Sequence, residues 1–156
     1  MDIPPGLQKD LVDVGKVAAA YVLALPTGWY REKEAHSVGV RTFPIVAMAS
    51  CGYVLMAPAG DSAALSRIIQ GLVAGIGFVG GGAILKSENH VHGTATAASI
   101  WNTGVLGAAV AEEKWLLAIV LSLLNLFALR VLLPWKLRLD AKREMEESLA
   151  SRENQS

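Results

Sequence analysis

RIIQGLVAGIGFVGGGAIL, residues 67–85, decides the fold. After Arg67 it runs 18 residues without Asp, Glu, Lys or Arg, and six of those residues are glycine. A hydrocarbon core of about 30 Å needs roughly 20 helical residues to cross. Gly71/Gly75 and Gly77/Gly81 stand four apart, the spacing at which two helix backbones approach closely in lipid. Working outward, residues 42–60 and 89–111 are free of the same four charged types for 19 and 23 residues. One core of a 156-residue soluble domain cannot bury three such runs. With 53% hydrophobic and 18% charged residues, the chain reads as an all-α integral membrane protein.

Five helices are expected, over Leu11–Trp29, Phe43–Pro58, Ile68–Leu85, Thr94–Ala111 and Trp115–Leu133, with Pro134 closing the last. Asp13 and Lys16 sit in the opening turns of the first, so a surface-lying first helix, leaving four spans, is the rival arrangement. The connecting loops are short, so residues 1–134 form one compact bundle with a glycine-rich third helix, and 135–156 form a charged cytoplasmic tail. Trp29, Trp115 and Trp135 mark helix ends at the headgroup level. Arg31, Lys33, Arg41, Lys86 and four basic residues between 136 and 143, with Arg152, fall on one side of a five-span bundle. Lys9, Arg67 and Lys114 fall on the other. The excess of bases inside places the N-terminus outside and the tail in the cytoplasm. The opening MDIPPGLQKD makes a poor signal peptide, so the first apolar run is expected to be retained.

Fourteen basic and fourteen acidic residues leave no net basic field, which argues against nucleic acid. Cys51 is the single cysteine, so neither an internal disulfide nor a multi-cysteine metal site is available. No nucleophile–base pair or phosphate loop is present, and an enzyme is not expected.

Polar residues inside a membrane are costly and are site candidates by default. Asp13, Arg67 and Gln70 form a candidate outer cluster; Asp13 paired with Lys16 at i, i+3, with Arg67 snorkelling, fits the same residues. Asn102, Thr103 and Asn125 lie mid-membrane, where interhelical hydrogen bonds are the commoner role. On the cytoplasmic face, Arg31, Glu32, Arg41, Thr42, Thr94 and Thr96 gather, and Arg41-Thr42 at a helix start suits an anion. His90 and His92 have poor spacing for a metal. Ala95, Ser99, Thr103, Gly107 and Ala111 make a small-residue stripe on the fourth helix. With Gly71, Gly75, Gly77, Gly80 and Gly81 on the third, it suggests a tight hairpin between the two, or a helix break at GGGAIL that frees carbonyls for an ion. The glycine faces also suggest a homo-oligomer, most simply a two-fold dimer.

Taken in order, GWYRE (28–32), GVRT (39–42), RIIQG (67–71), GIGFVGGG (75–82) and VHGTATAASIW (91–101) resemble the MgtC/SapB family. The resemblance covers about residues 24–111. It implies a bacterial inner-membrane protein of about five helices linked to adaptation to low magnesium, with direct transport and regulation of other membrane machinery as competing roles. The matching positions are Arg31, Arg41, Thr42, Arg67, Gln70, Gly71, Gly77, Gly80, Gly93, Thr96, Ala97, Ala98 and Trp101. Tyr30 departs from the acid many members carry before the first arginine. The longer branch adds a soluble C-terminal domain, which this sequence is expected to lack. Mg2+ enters as an ion the chain responds to or carries. Its sites usually retain waters and use one or two carboxylates, and only Asp13 and Glu32 stand near membrane depth. A regulatory or interaction protein with a membrane-protein partner is therefore expected ahead of a magnesium carrier.

Overall fold

The computed structural model describes residues 4–35, 38–86 and 91–132, and the expected tail, His36 and His90 lie outside them. Helix α1 covers Pro5–Ala35, α2 Thr42–Leu55, α3 Ser62–Gly81, α4 Thr94–Ala111 and α5 Trp115–Phe127. A two-residue antiparallel ladder joins β1 (Leu85–Lys86) to β2 (Val91–His92), between α3 and α4. The chain divides after residue 126; of the second unit, residues 127–132 are described, Phe127 and a π-helical turn, Ala128–Leu132, where the fifth helix was expected to run to Leu133.

Local chemistry explains the boundaries. Pro5 opens α1 at the position where its missing N–H has no intrahelical role. α1 continues beyond Trp29, so Arg31 and Glu32 ride on a helix instead of a loop. Gly39 accepts hydrogen bonds from the N–H groups of Thr42 and Phe43, which starts α2. Asp61 caps α3 by accepting from Ala64 N–H at 2.8 Å, and the helix starts at Ser62, six residues before the expected Ile68. α3 then ends at Gly81. The GGG run is therefore a helix terminus and not a break within a span. Gly93, at φ +87°, turns the chain into α4, whose bounds are those expected.

α4 sits at the centre, packed against α2, α3 and α1, while α1 also packs along α2. The core joins Ala20 and Ala24 of α1, Phe43, Ala47, Cys51 and Val54 of α2, Ile100, Leu106 and Val110 of α4, and Ala118 of α5. The small-residue stripe of α4 works differently from the expected hairpin. Gly107 faces α2, and a Cβ there would collide with the Ala47 carbonyl oxygen. α3 meets α4 instead through Gly80, 3.1 Å from the Ala97 carbonyl oxygen by its would-be Cβ, and through Ile76, which fills the space over Gly104. Gly71, Gly75, Gly77 and Gly81 look into open space.

Among the described residues, three stretches are long and apolar enough to cross a membrane: Pro5–Lys33, Ser62–Gly81 and Trp115–Leu132. α2 is a shorter apolar helix, roughly 21 Å over 14 residues. Large apolar side chains point outward from the bundle, among them Phe78, Leu116, Leu123 and Leu124. Such a surface suits lipid and not water. The protein is an all-α membrane protein.

Candidate functional site

Four of the quoted motifs converge at one end of the bundle. α1 delivers Arg31, only 7% exposed, whose Nη2 donates to the Thr96 hydroxyl at 2.5 Å in the first turn of α4. One residue on, the Glu32 carboxylate accepts the Val40 N–H at 3.0 Å and so holds the turn before α2. That turn lies tightly on α1. A Cβ on Gly39 would collide with Glu32, and one on Gly28 would come within 3.1 Å of the Val40 Cα. Across the same end, a Cβ on Gly93 would strike the Ala83 carbonyl oxygen. GWYRE, GVRT, the glycines closing α3 and the HGTAT segment are thus one interlocked structure. Arg41 is exposed at the start of α2 and Thr42 is half-buried; neither side chain caps that helix. Thr94 is exposed, so the expected cytoplasmic cluster separates into an engaged pair, Arg31 and Thr96, and an open rim.

Midway along the bundle, polar side chains join helices. The Ser99 hydroxyl donates to Asn125 Oδ1 at 2.9 Å, linking α4 to α5. The Asn102 amide donates to the Leu121 carbonyl at 3.4 Å, and Thr103 donates to the Ser99 carbonyl at 2.8 Å within α4. Ser122 of α5 donates to the Leu23 carbonyl of α1 at 2.7 Å. Cys51 is a buried free thiol in the core.

The opposite end corrects the expected outer cluster. Asp13 does not meet Arg67 or Gln70, which lie on the exposed face of α3. Because α3 starts at Ser62, Arg67 falls in its second turn, while α1 packs on α2 and α4. Asp13 instead lines a cavity of about 380 Å3 with Lys9, Lys16, Asp61 and Glu112. The i, i+3 pairing of Asp13 with Lys16 is not formed either. Lys16 bridges to Glu113 at 2.8 Å and reaches the Ala111 carbonyl at 3.4 Å, at the C-terminus of α4. That hydrogen bond and the charge of Lys16 hold the Glu113 carboxyl below the ordinary glutamate range. Glu113 itself has φ +58°, the left-handed turn that ends α4. Sequence reasoning missed Glu113 because an acid in a short loop carries no local signal of its partner 97 positions earlier. Ser122 was missed as one serine in an apolar helix. Among the described residues, no group of three or more His, Cys, Asp or Glu stands where it could hold a metal ion.

The sequence model of the MgtC family matches residues 17–137. SrpB of Synechococcus elongatus is 34% identical over 129 residues, covering 73% of this chain and 71% of SrpB. YhiD of Escherichia coli strain K12, named as a proposed magnesium transporter, is 30% identical over 113 residues, covering 67% of this chain. MgtC of Brucella abortus strain 2308 is 33% identical over 93 residues, covering 58% of this chain. The chain spans about half of YhiD (53%) and 39% of that MgtC. No solved structure gives a significant match. The matched residues run from α1 through the end of α5 and include every interlocked motif described above, and the chain belongs to the MgtC family.

Proposed function

We propose that the chain is a regulatory or interaction module of the bacterial inner membrane, acting in adaptation to limiting magnesium. Its N-terminus lies outside and its C-terminus in the cytoplasm on this reading, and no catalytic step is assigned to it. The observation that carries the reading is how the polar groups inside the bundle are used. Arg31 holds Thr96, Asn125 holds Ser99, Ser122 holds α1 and Asn102 holds α5. These groups tie helix to helix, which suits a rigid scaffold that presents a surface better than a path lined for an ion.

Magnesium carriage is the second reading. It is favoured by the name of the relative YhiD; three carboxylates, Asp13, Asp61 and Glu112, line one cavity but do not form a group that could hold a metal ion. Lys9 and Lys16 line the same cavity, and two ammonium groups oppose a dication there. Two measurements separate the readings: magnesium flux into liposomes holding the purified, helical chain, and growth of a magnesium-limited bacterial strain deprived of its own relative. Restored growth together with flux no greater than empty liposomes supports the regulatory reading. Saturable flux that Asp13→Ala abolishes overturns it.

A further inference from the structure

α3 is the least covered of the spanning helices. Only 6% of its apolar window is buried, although it is long enough to cross the membrane. Its inner face carries Leu72 and Ile76 against the core. A helical repeat of 3.6 residues puts Arg67, Gln70, Gly71, Ala74 and Phe78 on the outer face, and all five are exposed.

Gln70 decides what covers this face. It is the ninth residue of the 20-residue helix, roughly 12 Å from the start and close to the middle of the span. Among the described residues no hydrogen bond reaches its amide. A glutamine at that depth is too short to reach water, and a bare amide against lipid tails is costly. Arg67 differs, because it stands about 8 Å from the helix start and its long side chain can extend to the headgroups.

We infer that a second copy of this chain covers the face, with α3 crossing its counterpart about a two-fold axis along the membrane normal. A carboxamide is both donor and acceptor, so an identical amide at identical depth satisfies both halves reciprocally. A carboxylate on another protein would engage only the NH2 group. Gly71, which borders the groove between α2 and α3, has no atom within 4 Å of a would-be Cβ, and with Ala74 it leaves small residues beside Gln70, which lets the backbones, and hence the amides, come close. Phe78, 86% exposed and two turns below Gly71, adds an apolar knob to the same contact. Both Arg67 side chains stand at the same depth in this parallel pair, and each extends outward to the headgroups of the same leaflet. This arrangement holds whether the chain regulates or carries magnesium.

The test uses oxidative cross-linking of the full chain in liposomes. Cys51 is buried, so an introduced surface cysteine is the reactive one. Ala74→Cys is expected to form a covalent dimer, while Leu123→Cys, exposed on α5, stays monomeric. Adding Gln70→Leu to Ala74→Cys should weaken association about tenfold, measured by diluting the protein in lipid; Gln70→Asn should retain part of it. The inference is overturned if Ala74→Cys cross-links no better than Leu123→Cys, or if Gln70→Leu leaves association unchanged. Cross-linking in native membranes to a different protein only, with none to a second copy, overturns it equally.

Discussion

Arg31 and Thr96, 65 positions apart, are joined by a buried hydrogen bond that ties the end of α1 to the first turn of α4. A guanidinium placed this way is a structural tie as well as a charge, and it draws two motifs into one site. Replacing Thr96 with Val leaves the charged donor without its hydroxyl. The expected loss is about 2 kcal/mol, read as a lower unfolding midpoint in detergent, whereas Thr96→Ser should stay near wild type. Arg31→Lys should not substitute, since a single ammonium cannot reproduce the reach of the guanidinium fork. An unchanged midpoint in Thr96→Val would show the bond to be idle.

Gly39 sits where a Cβ would collide with Glu32. Gly39→Ala should therefore push the 38–41 turn off α1 and cost about 1–3 kcal/mol. Glu32→Gln keeps an oxygen acceptor for the Val40 N–H and should cost less. Thermal unfolding of the two variants side by side checks the order, and the reverse order would count against the interlock.

Glycines of the same spacing should respond differently according to what they face. Gly107→Ala drives a methyl into the Ala47 carbonyl of α2 and should destabilise by about 1–3 kcal/mol. Gly77→Ala meets nothing within 4 Å and should leave the isolated monomer unchanged. Gly104→Ala should fall between, because the obstacle is the far end of the Ile76 side chain and not backbone. Equal losses at Gly107 and Gly77 would contradict the packing described.

The Lys16–Glu113 pair sets a pH dependence. The folded-state pKa of Glu113 is lowered from 4.5, so its stabilising contribution is present above that value and lost as pH falls through the lower folded value. Wild type should therefore lose midpoint on acidification through this window, and Glu113→Gln should lose less. Because Glu113 is exposed, added salt should shrink the difference. Parallel acid titrations of the unfolding midpoint that superimpose would remove the pair from consideration.

Asn125 and Ser99 provide a mid-membrane test. Asn125→Leu should cost about 0.6–1.7 kcal/mol, and the loss should not add to that of Ser99→Ala in a double-mutant cycle. Full additivity would show that the two side chains act independently.

Much of the fold was legible in the sequence because lipid imposes a coarse rule, that a spanning helix must be long and apolar. Residues 115–132 illustrate this, since the fifth helix begins at Trp115 as its composition suggests and that stretch is long and apolar enough to cross. The start of α3 was hidden. Asp61 reads as an ordinary loop acid until its carboxylate is seen capping the Ala64 N–H, and the start at Ser62 puts Arg67 in the second turn of a helix while α1 packs on α2 and α4. The end of α1 was hidden for a similar reason, because charged residues 31–34 look like a loop while a helix can carry them past the apolar run.

By itself, then, the sequence determined the class of protein, the number of helices and the family, since all three follow from composition along the chain and motif order. Only the tertiary structure decided which polar groups meet. Side chains separated by 65 or 97 positions find each other through helix packing, and neither member of such a pair signals its partner locally. The glycines make the same point. Gly107 and Gly77 both belong to small-residue stripes at i, i+4 spacing, yet one lies against the Ala47 carbonyl and the other faces open space, because α4 is central and α3 peripheral.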